Sequence, residues 1–187
     1  MYSLLENFGE KMCEKTLWDK QVMNTYKNIK KFIFSKEQAI SLFVIVFVFV
    51  FDRITKIVIV ENQLNNNSIF VNDYLNLDLV WNTGIGFGLF SQNANIYYHL
   101  ISLLIFLVIF FLIYLAIKAF FVEKILFSLI LGGAIGNLYD RLIYFAVPDF
   151  IDIHINDFHW FTFNIADIFI TSGIILIIIK DLLLKKK

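Results

Sequence analysis

Two aspartates stand where carboxylates are costly. Asp149 lies within Val147-Pro148-Asp149-Phe150-Ile151, flanked by apolar side chains, and Asp167 follows Phe163-Asn164-Ile165-Ala166 at the head of an almost wholly apolar run. An aspartate in such surroundings is either desolvated or paired. If the chain brings the two together, one of them keeps a proton, because neighbouring carboxylates in a low-dielectric site do not both ionise readily. That split supplies a base to activate water and an acid to protonate a leaving amine. It is the chemistry of an aspartic peptidase. The plainer account of Asp167 is a first-turn carboxylate favoured by the helix dipole.

Other polar groups sit at similar depth. Asp52 and Lys56 are four residues apart, a spacing that permits local pairing on one helix face; a snorkelling pair at the outer interface is the ordinary reading. Gly132, Gly133, Ala134 and Gly136 let another helix or an extended ligand approach the backbone. Asn137 and Arg141 are again four apart, and Asp140-Arg141 can be an interfacial ion pair, which leaves the amide one turn deeper unexplained. Asp140 is the alternative member of a dyad. His154 and His159, with Asp152 or Asp157, have a spacing that suits a helical zinc pair poorly, so they read as surface loop histidines and no metal is expected. Ser128 and Ser172 have no neighbouring base in sequence, and no nucleophile-elbow, zincin or phosphate-loop motif occurs. Cys13, the one cysteine, excludes an internal disulfide.

The elements that must position these groups are those of a membrane protein. The 187 residues are 59% hydrophobic with a mean hydropathy of +0.72, above the usual apolar content of soluble domains. Formal net charge is zero, so nothing points to nucleic acid. Four stretches are long and apolar enough to span a bilayer: about residues 39–60, 96–117, 121–138 and 164–184. Lysine and arginine are absent from Glu61 to Asn95 and from Leu142 to Phe163, but occur before Ser41, at Lys118 and Lys124, and at Lys185–Lys187. Positive charge marks the cytoplasmic side. Both termini therefore face the cytoplasm, and the loops 61–95 and 139–163 face outward. In the first loop Leu75, Leu77, Leu79 and Trp81 alternate with Asn76, Asp78, Val80 and Asn82, the period of a half-buried strand. Asn82-Thr83-Gly84 marks a turn, with Gly86 and Gly88 beyond it. The expected fold is all-α: a four-helix membrane bundle with a small β-structure between helices one and two. Residues 1–38 form a polar cytoplasmic extension, in which Lys27, Lys30, Lys31 and Lys36 interleave with Phe32, Ile33 and Phe34 as in a segment lying on anionic lipid. A disordered tail fits equally, and Met23 is a second possible start.

Five motifs, in order from Ser41 to the C-terminus, resemble the lipoprotein signal peptidase (signal peptidase II) family. They are Asp52-Arg53-Ile54-Thr55-Lys56, Asn82-Thr83-Gly84-Ile85-Gly86-Phe87, the run from Gly132 to Arg141, Val147-Pro148-Asp149-Phe150 and Phe163-Asn164-Ile165-Ala166-Asp167. The resemblance implies an intramembrane aspartic peptidase of the bacterial cytoplasmic membrane. Such an enzyme removes signal peptides from diacylglyceryl-modified prolipoproteins just before the lipidated cysteine, needs no cofactor and is inhibited by globomycin. Carried onto matching positions, it makes Asp149 and Asp167 the dyad. Asp52, Lys56, Asn82, Gly84, Gly133, Asn137, Asp140, Arg141, Asn164 and Ala166 then organise or line the site. Pro148 and Ile168 depart from the family pattern, where an aliphatic and a small hydroxyl residue are usual.

Two rival readings belong to other classes. A small proton-coupled carrier would use the aspartates as a relay, yet Ile101–Phe111 and Ile174–Ile179 are apolar throughout. A non-catalytic scaffold gives no reason for so many carboxylates and amides at one depth.

Overall fold

A computed structural model describes residues 18, 21–26, 35–62, 68–84, 96–156 and 158–184. The segment of interleaved lysines and aromatics at 27–34, Cys13, Gly86 to Gly88, Asp157 and Lys185–Lys187 lie outside them. The chain divides into two compact units, Met1–Ile40 and Ser41–Lys187. In the first, residues 21–26 are helical, and the Ser35 hydroxyl accepts the Gln38 N–H (3.3 Å) as a helix N-cap.

The second unit combines four long helices with one antiparallel sheet. The helices are α1 (Lys36–Asn62, which begins in the first unit), α2 (Ile96–Lys118), α3 (Phe121–Ile143) and α4 (Ile165–Leu184). Tyr98–Lys118 and Phe121–Ile143 are long and apolar enough to cross a membrane. Phe43, Phe47, Leu103, Leu107 and Phe111 are all more than half exposed, an apolar surface that water would not tolerate. The core cluster, centred on Ile109, Ala116 and Leu131, gathers Ile45 from α1 and Leu112 from α2 around α3.

Glycines let α3 sit at the centre. A Cβ on Gly132 would lie 2.6 Å from Val48 Cβ of α1, and one on Gly133 would lie 2.6 Å from the Ala166 carbonyl oxygen of α4. The small-residue run is therefore a helix-packing surface on two sides.

The sheet is larger than the sequence reading allows. Strands β1 (Ile69–Asn72), β2 (Leu75–Asn82), β3 (Val147–Ile155) and β4 (Phe158–Phe163) are ordered β1-β2-β3-β4. Half of it comes from the segment 139–163 read as a loop. Two register details aim side chains. The pairs Leu77↔Ile151 and Val80↔Asp149 leave one extra residue in β2. This bulge reverses the face of every residue after it, so Asn82 is buried and Trp81 is exposed. The expected alternation of Leu75 through Trp81 on one face is broken at this point. At the β3–β4 turn Asn156 has φ 50°, a left-handed conformation that asparagine tolerates well.

Candidate active site

Asp167 is positioned by the start of α4. Asn164 is the N-cap and Asp167 the third helical residue, and they bond reciprocally. Asp167 N–H donates to Asn164 Oδ1 (3.1 Å), and Asn164 N–H donates to Asp167 Oδ2 (3.2 Å). This is a capping box in which asparagine and aspartate replace the usual residues. Its geometry leaves Asp167 Oδ1 to accept from Asn137 Nδ2 of α3 (2.9 Å).

Asp149 is positioned by the sheet. Its partner across the ladder is Val80, and Asn82 lies two residues further along the same face of β2. Asn82 Nδ2 donates to Asp149 Oδ2 (2.8 Å), while Asn82 Oδ1 accepts the Gly84 N–H (2.8 Å). The amide is thus fixed at both ends. Asn164 Nδ2 donates to Asp149 Oδ1 (2.5 Å). One asparagine side chain therefore bonds the carboxylate of Asp149 and the backbone of Asp167, and both aspartates line the same cavity. Burial, and next the charge of Asp167, push the Asp149 carboxyl up to about 7.

Behind the two aspartates lies a buried ionic cluster. Lys56 Nζ donates to Asp52 Oδ2 (2.8 Å), Asp140 Oδ2 (2.8 Å) and Asn137 Oδ1 (2.9 Å). Asp52 and Asp140 are fully buried and Lys56 nearly so. The interfacial snorkelling pair expected of Asp52 and Lys56 is instead the polar core where α1 meets α3. Asp140 pairs with Arg53 (2.7 Å) rather than with Arg141. The counted charges balance, two carboxylates against two cations. Lys56 fixes one end of the Asn137 amide, so that its NH2 group faces Asp167. Asp52 Oδ1 accepts the Ala166 N–H (3.0 Å) and ties α1 to the first turn of α4. Gly136 gives Asp52 its room: a Cβ there would lie 2.6 Å from Asp52 Oδ2.

Arg141 donates to the Gly84 carbonyl, joining α3 to the turn after β2. Its guanidinium lies 5.7 Å from the Tyr98 ring, and the Tyr98 hydroxyl donates to the Arg141 carbonyl (2.9 Å). Arg53 and Tyr98 are members of this network that the sequence reading left without a role. For Arg53, a cation beside Asp52 in an apolar helix was the available signal; for Tyr98 there was none.

The cavity measures about 520 Å³, within the usual range of ligand pockets. One end is polar, with Asn82, Asn137, Arg141 and Asn164 beside the aspartates. The other is an apolar groove between Leu104, Val108 and Leu112 of α2 and Ile170 and Ile174 of α4. His154 and His159, read as surface loop residues, lie on β3 and β4, and His154 is buried. Ser128 donates to the Lys124 carbonyl and bonds Ser41 (2.7 Å), a packing role at the far end of α3.

The model of the signal peptidase (SPase) II family matches residues 44–183. A lipoprotein signal peptidase of Pelagibacter ubique is 46% identical over 150 residues, covering 79% of this chain and 90% of its own. One from Anaplasma phagocytophilum is 39% identical over 150 residues, covering 79% and 94%. A bacterial membrane enzyme solved by the in meso method at 2.3 Å superposes with a TM-score of 0.66 at 34% identity, over 77% of this chain and 88% of that one. None of these relatives supports the carrier reading, and by the extent of these matches the chain belongs to the signal peptidase II family.

Proposed function

We propose that the chain is an intramembrane aspartic endopeptidase, with Asp149 and Asp167 as the dyad, that removes signal peptides from diacylglyceryl-modified prolipoproteins before the lipidated cysteine. The observation that carries this reading is the Asn164 amide, which bonds Asp149 at one end and the Asp167 backbone at the other. A water held between the carboxylates loses a proton to one of them as it attacks the scissile carbonyl; the protonated partner serves the leaving amine. The dyad titrates as a pair, and a carboxyl held near pH 7 is matched to that exchange. Asn82, Asn137 and Asn164 orient the carboxylates. Asp52, Lys56, Asp140 and Arg141 hold the supports, and Gly84, Gly133 and Ala166 permit the close backbone approaches.

The apolar groove between α2 and α4 suits a signal helix and acyl chains arriving laterally from lipid. All four helices span the bacterial cytoplasmic membrane in this reading, with both termini inside, residues 1–38 as a cytoplasmic extension, and the dyad near the outer face. Globomycin competes for the same cavity. The decisive experiment reconstitutes the purified chain with a diacylglyceryl-modified precursor and follows processing by gel shift. Asp149→Asn and Asp167→Asn should each abolish cleavage while inserting normally; wild-type rates in either variant would overturn the assignment.

A further inference from the structure

A second cluster of chemistry-bearing side chains occupies the face of β3 turned away from Asp149. Asp152 and His154 are two residues apart and therefore share that face. His159 is the partner of His154 across the β3–β4 ladder. Asp152 and His154 are only 4% and 8% exposed. Asp152 Oδ2 lies 2.7 Å from His159 Nδ1 and 3.4 Å from His154 Nδ1, and the two imidazoles stack with centroids 5.1 Å apart. Asn76, the β2 partner of Asp152, stands on the same face. Two atoms of this group, His154 Nδ1 and Asn76 Oδ1, are buried without a hydrogen-bond partner. Buried polar atoms are rarely left so, because each forfeits its hydration. A carboxylate, an amide oxygen and two imidazoles can each offer a lone pair here, and a cation is a partner for all of them.

We propose that Asp152, His154 and His159 form a binding site for a divalent transition-metal ion of the zinc class, with Asn76 Oδ1 or water completing the coordination. Two imidazoles with one carboxylate select zinc and its neighbours over calcium or magnesium. Metal–ligand bonds of 2.0–2.2 Å in a tetrahedral shell put donor atoms about 3.3 Å apart; the two carboxylate–imidazole spacings lie near that value, and a ligand atom from each of the three residues lies within 4.8 Å of the others. Entry of the ion replaces the hydrogen bond between Asp152 and His159, and a neutral imidazole that ligates through Nδ1 carries its proton on Nε2. The bound ion pins β3, which bears Asp149, to β4, which leads into Asn164 and Asp167. The inference does not depend on the peptidase reading.

The test is a Zn2+ titration of the full chain in detergent micelles, repeated with Co2+ to read tetrahedral d–d absorption. The expected result is one equivalent bound per chain. His159 is exposed, so His159→Ala should fold normally while weakening binding by at least about tenfold, the effect that loss of even a supporting residue has on metal affinity. His154→Ala should do the same, whereas Cys13→Ser and His99→Ala should leave affinity unchanged. Absence of stoichiometric binding overturns the proposal, as does an affinity that the His159 and His154 variants leave unaltered.

Discussion

Replacing Lys56 with methionine isolates the part of the site most deeply buried. The substitution keeps the aliphatic stem and removes one cation from three acceptors. Asp140 retains Arg53, and Asp52 retains the Ala166 N–H, so the loss is partial on both carboxylates. Breaking a buried ion pair from one side costs about 3–5 kcal/mol, and the retained partners place this case near the lower end. For a chain of this size each kcal/mol corresponds to about 2–4 °C, so the unfolding midpoint in micelles should fall by about 6–12 °C. The second consequence is catalytic. Without Lys56, nothing holds the Asn137 oxygen away from Asp167, and the amide is free to turn. A hydrogen bond to a charged group is worth about 1.5–3 kcal/mol, so kcat should drop roughly tenfold to a hundredfold. Adding Asp52→Asn to Lys56→Met removes the carboxylate that was stranded, and should restore part of the stability but none of the activity. A Lys56→Met protein with an unshifted midpoint and unimpaired turnover would refute the reasoning.

Gly136→Ala drives a methyl group into the Asp52 carboxylate, which Lys56 and Ala166 hold in place; overpacking of this kind costs about 1–3 kcal/mol, read as a lower midpoint in the same assay. Asn164→Ala removes both the helix cap and the bond to Asp149. It should lower stability by about 1 kcal/mol and cut cleavage far more than that stability loss explains, with KM little changed. The Asp149 carboxyl, raised from 3.8 to about 7 by burial and by Asp167, binds its proton more tightly in the folded than in the unfolded chain. Stability should therefore decline as pH rises from about 4 to about 7 and then level off. Asp149→Asn should flatten that slope in a melt series across pH; an unchanged slope assigns the dependence to other groups.

The parts of the site legible in sequence are those that lipid makes improbable. Asp52, Lys56, Asn137 and Asp167 stand out because nothing apolar explains them, and their order along four hydrophobic stretches carries the family resemblance. Connectivity between them was hidden. Lys56 bonds residues 81 and 84 positions away, and no spacing rule reaches that far. The β2 bulge was hidden too, since one extra residue leaves no mark in an alternating pattern yet decides whether Asn82 or Trp81 meets Asp149. The β3–β4 hairpin did leave a signal, the alternation of Ile151, Ile153 and Ile155 with Asp152 and His154. It passed as loop because its buried face is the polar one, while Ile153 and Ile155 are exposed. Pro148 is the second residue of β3, and the first residues of a strand tolerate proline.

The two acids are borne by different layers of the molecule, Asp149 by the sheet and Asp167 by the first turn of a helix. A tilt of the strands over the bundle would consequently alter their separation directly, without repacking any side chain in the core. Asn164 is the strut that resists such a tilt, because it grips both layers. Whatever leans on the strands acts in the same stroke on the separation of the two carboxylates.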